Sequence, residues 1–387
     1  MKRACGAVKQ GEPTVRYGRG AVETVPAMLE TLSADKVLIV HGRRSFEESG
    51  ASTMLASFGR RTRVWQWHGF SPNPDIRELE QGLARVRELS PDAVVGVGGG
   101  SAMDMAKLLC VLEAVPPADL AEHIRSEVAM DARRMKLVLV PTTAGSGSEA
   151  THFAVVYIGD DKYSVAGPAV RPDAAVLDPA LSESGTAHQR AASGVDALSQ
   201  GIESLWAVQG DQESRALARR GVRMLLSGID DFVLSPHAAA RPMTVGSHLV
   251  GRAINISRTT GAHALSYALT RRYGVSHGHA VALTLGAFLD AHARASASDL
   301  QSAARLSTHE RALDDIAGLL GATSPVESGR RFVALARRIG LAMSLSDVGV
   351  TSAAELRGLA AAVNIQRLRN NPVRFSRDEL TDLLKRC

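Results

Sequence analysis

The chain has 387 residues and carries 45 Lys and Arg against 40 Asp and Glu, a formal net charge of +5. Hydrophobic residues at 45% and charged residues at 22% are ordinary for a globular protein, and because a single core stops growing near ~250–300 residues, two domains are expected. No long Lys/Arg run is interleaved with aromatics and no apolar run approaches the ~20 residues that span a bilayer, which argues against a nucleic-acid or membrane partner; a small anionic ligand suits the mild positive balance better.

The first half alternates short apolar runs with amphipathic ones. Strands are expected at 36–40 (KVLIV), 63–67 (RVWQW), 92–97 (DAVVGV), 136–140 (KLVLV) and 174–178 (AAVLD). Helical patterns lie between them at 44–58, 75–89 and 101–114. Strands alternating with helices predict an α/β, Rossmann-like domain with a parallel sheet covered on both faces. THFAVVY and KYSVA flank Gly159-Asp160-Asp161, which reads as a hairpin. From about Thr186 long helical patterns follow one another without a convincing strand. The expected division is an α/β domain over 1–185 and an all-helical domain over 186–387, which the motifs below mark as dinucleotide-binding and metal-binding.

After the strand at 92–97, Gly98, Gly99, Gly100 and Ser101 open a helix. Small residues before the amides of a helix N-terminus form a seat for a pyrophosphate, although the same pattern also serves as a plain tight turn. The strand at 36–40 ends in His41-Gly42-Arg43-Arg44, where NAD-preferring folds place an acid to hold the ribose 2′-hydroxyl. Gly42 leaves room instead, and Arg43 or Arg44 would pair with a 2′-phosphate, so NADPH is expected ahead of NADH. The plain alternative is a solvated helix start.

In SGVDALSQGIES, Asp196 and Gln200 are one helical turn apart and share a face. TTGAHALSYALTRRYGVSHGHA adds His263, Tyr267, His277 and His279. An Asp, a Gln and two His form a mixed oxygen and nitrogen set suited to one divalent ion. Each also has a bland reading, the Asp as a helix cap and the His as a hydrogen-bonded core residue. Arg252 and Arg258 precede His263 in GRAINISRTTGAHA, six positions apart, and would converge only if the helix ends between them; His152 and Lys162 stand by the hairpin. Arg binds phosphate or carboxylate bidentately, though a lone Arg is more often a surface charge.

GGGSAMDMAK at 98–107, PTTAGSGSEAT at 141–151 and the two segments above occur in an order that resembles the iron-containing (group III) alcohol dehydrogenase family over nearly the whole chain. The resemblance implies metal ligands at Asp196, His263 and His277. Gln200 stands where that family usually has a His, and Tyr267 where many members have a second His. It also implies a cofactor motif of Gly98, Gly99, Ser101 and Asp104, with Thr142, Thr143 and Ser148 at the phosphate and nicotinamide end. The implied chemistry is hydride transfer from NADPH or NADH to an aldehyde whose oxygen meets an Fe2+ or Zn2+ ion, with Tyr267, His279 or water returning the proton. The branch with the most similar motifs reduces phosphonoacetaldehyde to 2-hydroxyethylphosphonate. A broad short-chain alcohol/aldehyde dehydrogenase is the alternative, ahead of a dehydroquinate synthase-like enzyme or a non-catalytic nucleotide-binding protein. The resemblance further implies a homodimer. Three cysteines without a CxxC pair (Cys5, Cys110, Cys387), and an opening MKRACGAVKQGEP without a signal-peptide core, lead to a cytoplasmic expectation.

Overall fold

The computed structural model describes residues 13–363 and 368–387, so Cys5 lies outside the described residues. The chain divides into two compact units, Met1–Gly185 and Thr186–Cys387.

In the first unit, β1 (Thr14–Tyr17), β2 (Lys36–His41), β3 (Arg63–Trp67), β4 (Ala93–Gly98), β5 (Lys136–Pro141) and β8 (Ala174–Leu177) form one sheet in the order β1-β8-β5-β4-β2-β3. Every pairing in it is parallel. Alternate residues feed two cores: Leu38, Val40, Val94 and Leu139 on one face, Val37, Ile39, Val95 and Val140 on the other. That double burial explains why β2, β4 and β5 are near-continuous apolar runs. The helices are α1 (Val25–Thr31), α2 (Ser45–Glu48), α3 (Ile76–Leu89), α4 (Gly100–Leu112) and α5 (Leu120–Arg125). Asp75 opens α3 through a capping box with Glu78. The hairpin is present as β6 (Phe153–Ile158) and β7 (Asp161–Ala166), paired antiparallel, and its Ala154, Val156 and Val165 pack in the core that includes Met105 and Leu109 of α4.

Two features depart from expectation. The helix over 44–58 is broken: α2 stops at Glu48, Gly50 takes a left-handed φ of 79°, and a 3-10 turn fills Ala51–Ser57. Strand β1 was not visible in the sequence, because all four of its residues are exposed and only hydrogen bonding to β8 defines it.

The second unit is helical: α6 (Ala187–Trp206), α7 (Gln212–Leu226), α8 (Ile229–Leu234), α9 (Pro236–Ser257), α10 (Gly261–Tyr273), α11 (His277–Arg294), α12 (Leu306–Leu320), α13 (Ser328–Arg338), α14 (Ala353–Ala361) and α15 (Arg377–Leu384). Among the described residues no helix is long and apolar enough to cross a membrane.

Candidate metal centre and nucleotide loop

Helix α6 begins at a capping box between Thr186 and Gln189, so Asp196 lies in mid-helix and is not a cap. Asp196, Gln200 and Glu203 follow at helical spacing and all three are buried. Helix α10 brings His263 to them, and the first residue of α11 brings His277. One ligand atom each from Asp196, His263 and His277 lies within 4.8 Å of the others. His263 Nε2 is 3.3 Å and His277 Nε2 3.9 Å from Asp196 Oδ1.

Gly278 makes this approach possible. A β-carbon there would stand 2.0 Å from the Ala192 carbonyl oxygen and 2.7 Å from Asp196 Cβ, so only glycine lets the start of α11 rest on α6.

Glu203 lies beneath the cluster and is fully buried. Its carboxylate takes the Nδ1 proton of His263 at 2.5 Å and the backbone amides of Thr260, Ala262 and His263 at 3.0, 2.8 and 3.4 Å. It therefore also caps the N-terminus of α10, where the helix dipole favours an anion. Burial alone would push the Glu203 carboxyl up, but the His263 charge and the hydrogen bonds from His263 and Thr260 outweigh it and the pKa is lowered. For His263 burial opposes the charge, yet Glu203 and Asp196 prevail and hold the pKa at about 10. Sequence reasoning missed Glu203. The available signal was an acid seven residues after Asp196, on the same helix face as Asp196 and Gln200 and followed by the apolar Leu205 and Trp206.

The segment entering α10 is tied down from several sides. Asn370 donates to the carbonyls of Ser257 and Thr259, and Trp206 donates to the Thr260 hydroxyl. Between those carbonyls Arg258 has φ 59° and ψ −179°, a backbone region that is rare for any residue but glycine.

The donor atoms fit a cation. Gln200 Oε1 is buried without a hydrogen-bond partner, and His263 Nε2 is buried with Asp196 Oδ1 3.3 Å away. With Nδ1 donating to Glu203, a neutral His263 ring presents its lone pair at Nε2.

The remaining predicted residues fall into place unevenly. Tyr267 is beside the cluster, its ring within 7° of parallel to His277. His279 is not: two residues further round the helix it faces elsewhere, and its Nε2 meets the Ala342 carbonyl at 2.6 Å. Arg252 is exposed, 4.0 Å from Glu213 on α7. The helix does end between the two arginines, one residue before Arg258.

In the first unit, the chain runs from β2 outward to β3 and then returns to β4 on the other side of β2, so β2 and β4 enclose the point where strand order reverses. Open α/β sheets bind ligands outside the carboxyl ends of strands at such a point. Gly42 follows β2 and Gly98 ends β4; Gly42 N donates to the Val97 carbonyl, and a β-carbon on Gly98 would sit 2.7 Å from Ala102 Cβ and 3.5 Å from Gly42 N. Gly98 also holds φ 149°. Gly99 caps α4, Arg43 and Arg44 are exposed, and Thr143 is exposed beside Gly99. Thr142 Oγ1 is buried without a hydrogen-bond partner. Ser101 Oγ accepts the Asn73 amide.

Asp104 and Ser148 are hydrogen-bonded to each other. Asp104 is buried; one oxygen takes the Ser148 hydroxyl at 2.6 Å and the other the Val155 amide at 3.1 Å. Burial raises its pKa. Three residues on, Lys107 is wholly buried and donates to the Ser148 and Phe153 carbonyls and the Thr151 hydroxyl. Asp104 and Lys107 thus pin the loop after β5 and the start of β6 onto α4. Lys162 holds its ammonium 6.0 Å from the Tyr157 ring centroid, and His152 packs edge-on to Phe153.

Residues 13–179 match the profile of the iron-containing alcohol dehydrogenases, and residues 190–387 match the C-terminal domain of the same family. The chain is 36% identical to a phosphonoacetaldehyde reductase of Streptomyces viridochromogenes over 80% of each chain. It is 30% identical to long-chain-alcohol dehydrogenase 1 of Geobacillus thermodenitrificans over 70% of each. Among solved structures it is similar to sulfoacetaldehyde reductase from Bifidobacterium kashiwanohense in complex with NAD+, with a TM-score of 0.86, 26% identity and 98% and 99% of the two chains covered. The protein therefore belongs to the iron-containing alcohol dehydrogenase family and is an NAD(P)-dependent oxidoreductase.

Proposed function

We propose that the protein reduces a small aldehyde bearing a phosphonate or similar anion to the primary alcohol, with phosphonoacetaldehyde as the leading substrate and NADPH used at least as well as NADH. The observation that carries this reading is the convergence of Asp196, His263 and His277 within 4.8 Å in a relative of a phosphonoacetaldehyde reductase. A divalent ion held there, Fe2+ or Zn2+, supplies a Lewis acid for the aldehyde oxygen, and a bound nicotinamide supplies the hydride.

The chain's own residues do the rest. Asp196, His263 and His277 hold the ion, and Glu203 orients His263. With His279 committed to Ala342, Tyr267, parallel to His277, and water are the proton donors that remain, Tyr267 the first of them. Gly98, Gly99 and Ser101 seat the pyrophosphate against the start of α4. Gly42 leaves space for a 2′-phosphate that the exposed Arg43 and Arg44 pair with, and Thr142 and Thr143 line the nicotinamide side. Asp104 and Ser148 act one step back, by holding that loop. Arg258, at its constrained turn five residues before His263, is the first candidate for the anion; Arg252, His152 and Lys162 rank behind it. The protein works as a cytoplasmic homodimer, and exposed Val15 and Tyr17 on edge strand β1 are apolar surface that a second copy would cover.

The test compares phosphonoacetaldehyde with propanal, using NADPH and NADH, for wild type and Arg258→Ala. The reading expects the phosphonate to be preferred by wild type and that preference to fall by roughly tenfold or more in the variant, since charge-assisted hydrogen bonds contribute about 1.5–3 kcal/mol each. Propanal as the better wild-type substrate would contradict it.

A further inference from the structure

We infer that Gln200 is the fourth donor of the metal centre and that its amide oxygen biases the site toward the harder ion Mn2+ relative to Zn2+. This rests on reading Asp196, His263 and His277 as a metal centre.

Gln200 is buried on α6, one turn after Asp196, and its Nε2 donates to Asp196 Oδ2 at 3.2 Å. That contact fixes which end of the amide is which, because the reverse orientation would set the amide oxygen against a carboxylate oxygen. Oε1 must then point away from Oδ2, and it has no hydrogen-bond partner there. A buried, unpartnered acceptor on a residue bonded to Asp196, whose other oxygen lies 3.3 Å from His263 Nε2, is matched by a cation.

The same bond orients Asp196. With Oδ2 occupied by the amide, Oδ1 is the oxygen turned toward His263 and His277. The four donors are then two oxygens and two imidazole nitrogens. Carboxylate and carbonyl oxygens suit Mn2+, imidazole suits Zn2+ and Fe2+, and absolute affinity still rises from Mn2+ to Zn2+ in any such site. What Gln200 changes is the ratio: an amide oxygen narrows the advantage of Zn2+ over Mn2+ that a third imidazole would widen.

The experiment is calorimetric titration of the metal-stripped full-length protein with MnCl2 and with ZnCl2, for wild type, Gln200→Ala and Gln200→His. Gln200→Ala should weaken both ions by roughly tenfold or more, and Gln200→His should raise the Zn2+ to Mn2+ affinity ratio by roughly tenfold or more. Wild-type affinity for both ions in Gln200→Ala, or an unchanged ratio in Gln200→His, overturns the role of Gln200. A wild type that takes up neither ion overturns the metal centre itself, a distinct result. Should Gln200→Ala fail to fold, the ratio in Gln200→His decides.

Discussion

Glu203 accepts the Nδ1 proton of His263 at 2.5 Å together with three backbone amides at the start of α10, so one buried carboxylate fixes both the His263 ring and the helix that carries it. Partners of this kind behind a ligating His typically contribute ~10–100-fold in metal affinity. Glu203→Gln should weaken metal binding in that range by calorimetry. It should also lower the melting temperature of the metal-free protein, because an amide cannot accept all four donors as well as a carboxylate does. Unchanged metal affinity in a folded Glu203→Gln variant would show that the contact is structural only.

The pKa of about 10 at His263 has a consequence for metal uptake. Near neutral pH the ring of the metal-free protein is protonated, held by Glu203 and Asp196, with His277 also facing the cluster. An ion at Nε2 must displace that proton, so about one proton per ion should be released at pH 7 and apparent affinity should fall as pH falls. Calorimetry in two buffers of different ionisation enthalpy measures this directly. The stability of the metal-free protein follows the same signs: the His263 contribution is full below the unfolded-state value near 6.5 and is lost as pH rises through about 10. The Glu203 contribution is present above its unfolded value and is lost as pH falls through its lowered folded one.

Gly278→Ala should be strongly destabilising, by about 2–4 kcal/mol, because the added carbon meets the Ala192 carbonyl and Asp196 Cβ and has no flexible side-chain end to push aside. Metal affinity should fall with it, since the shift moves His277 away from Asp196. A thermal melt with and without metal separates the two effects.

Gly42→Asp places a carboxylate at the end of β2. Its β-carbon meets the Ser45 hydroxyl at 2.3 Å, which a rotation of Ser45 relieves. The variant should favour NADH over NADPH by roughly tenfold or more relative to wild type, through attraction to a ribose 2′-hydroxyl and repulsion of a 2′-phosphate. Steady-state kinetics with both cofactors provide the check.

Much of this was legible in the sequence because periodicity carried it. The strands at 36–40, 92–97 and 136–140 are buried on both faces and read as unbroken apolar runs, and Asp196 with Gln200 stood out by helical spacing. What could not be read depended on long-range contact. The partners of Asp104, the Ser148 hydroxyl and the Val155 amide, are 44 and 51 positions away, and nothing near the glycine-rich turn announces them. Glu203 is one acid on a helix, and nothing local reveals that His263, 60 residues on, will cover it. His279 shares a short motif with His277, yet two residues on a helix are enough to point it at Ala342.

The central claim, a metal-dependent aldehyde reductase, is tested most directly by following NADPH absorbance with phosphonoacetaldehyde in metal-stripped protein before and after adding Fe2+, Mn2+ or Zn2+. The account predicts negligible turnover in the stripped protein and recovery on metal addition, with His263→Ala unable to recover. Full turnover in thoroughly stripped wild-type protein would contradict it.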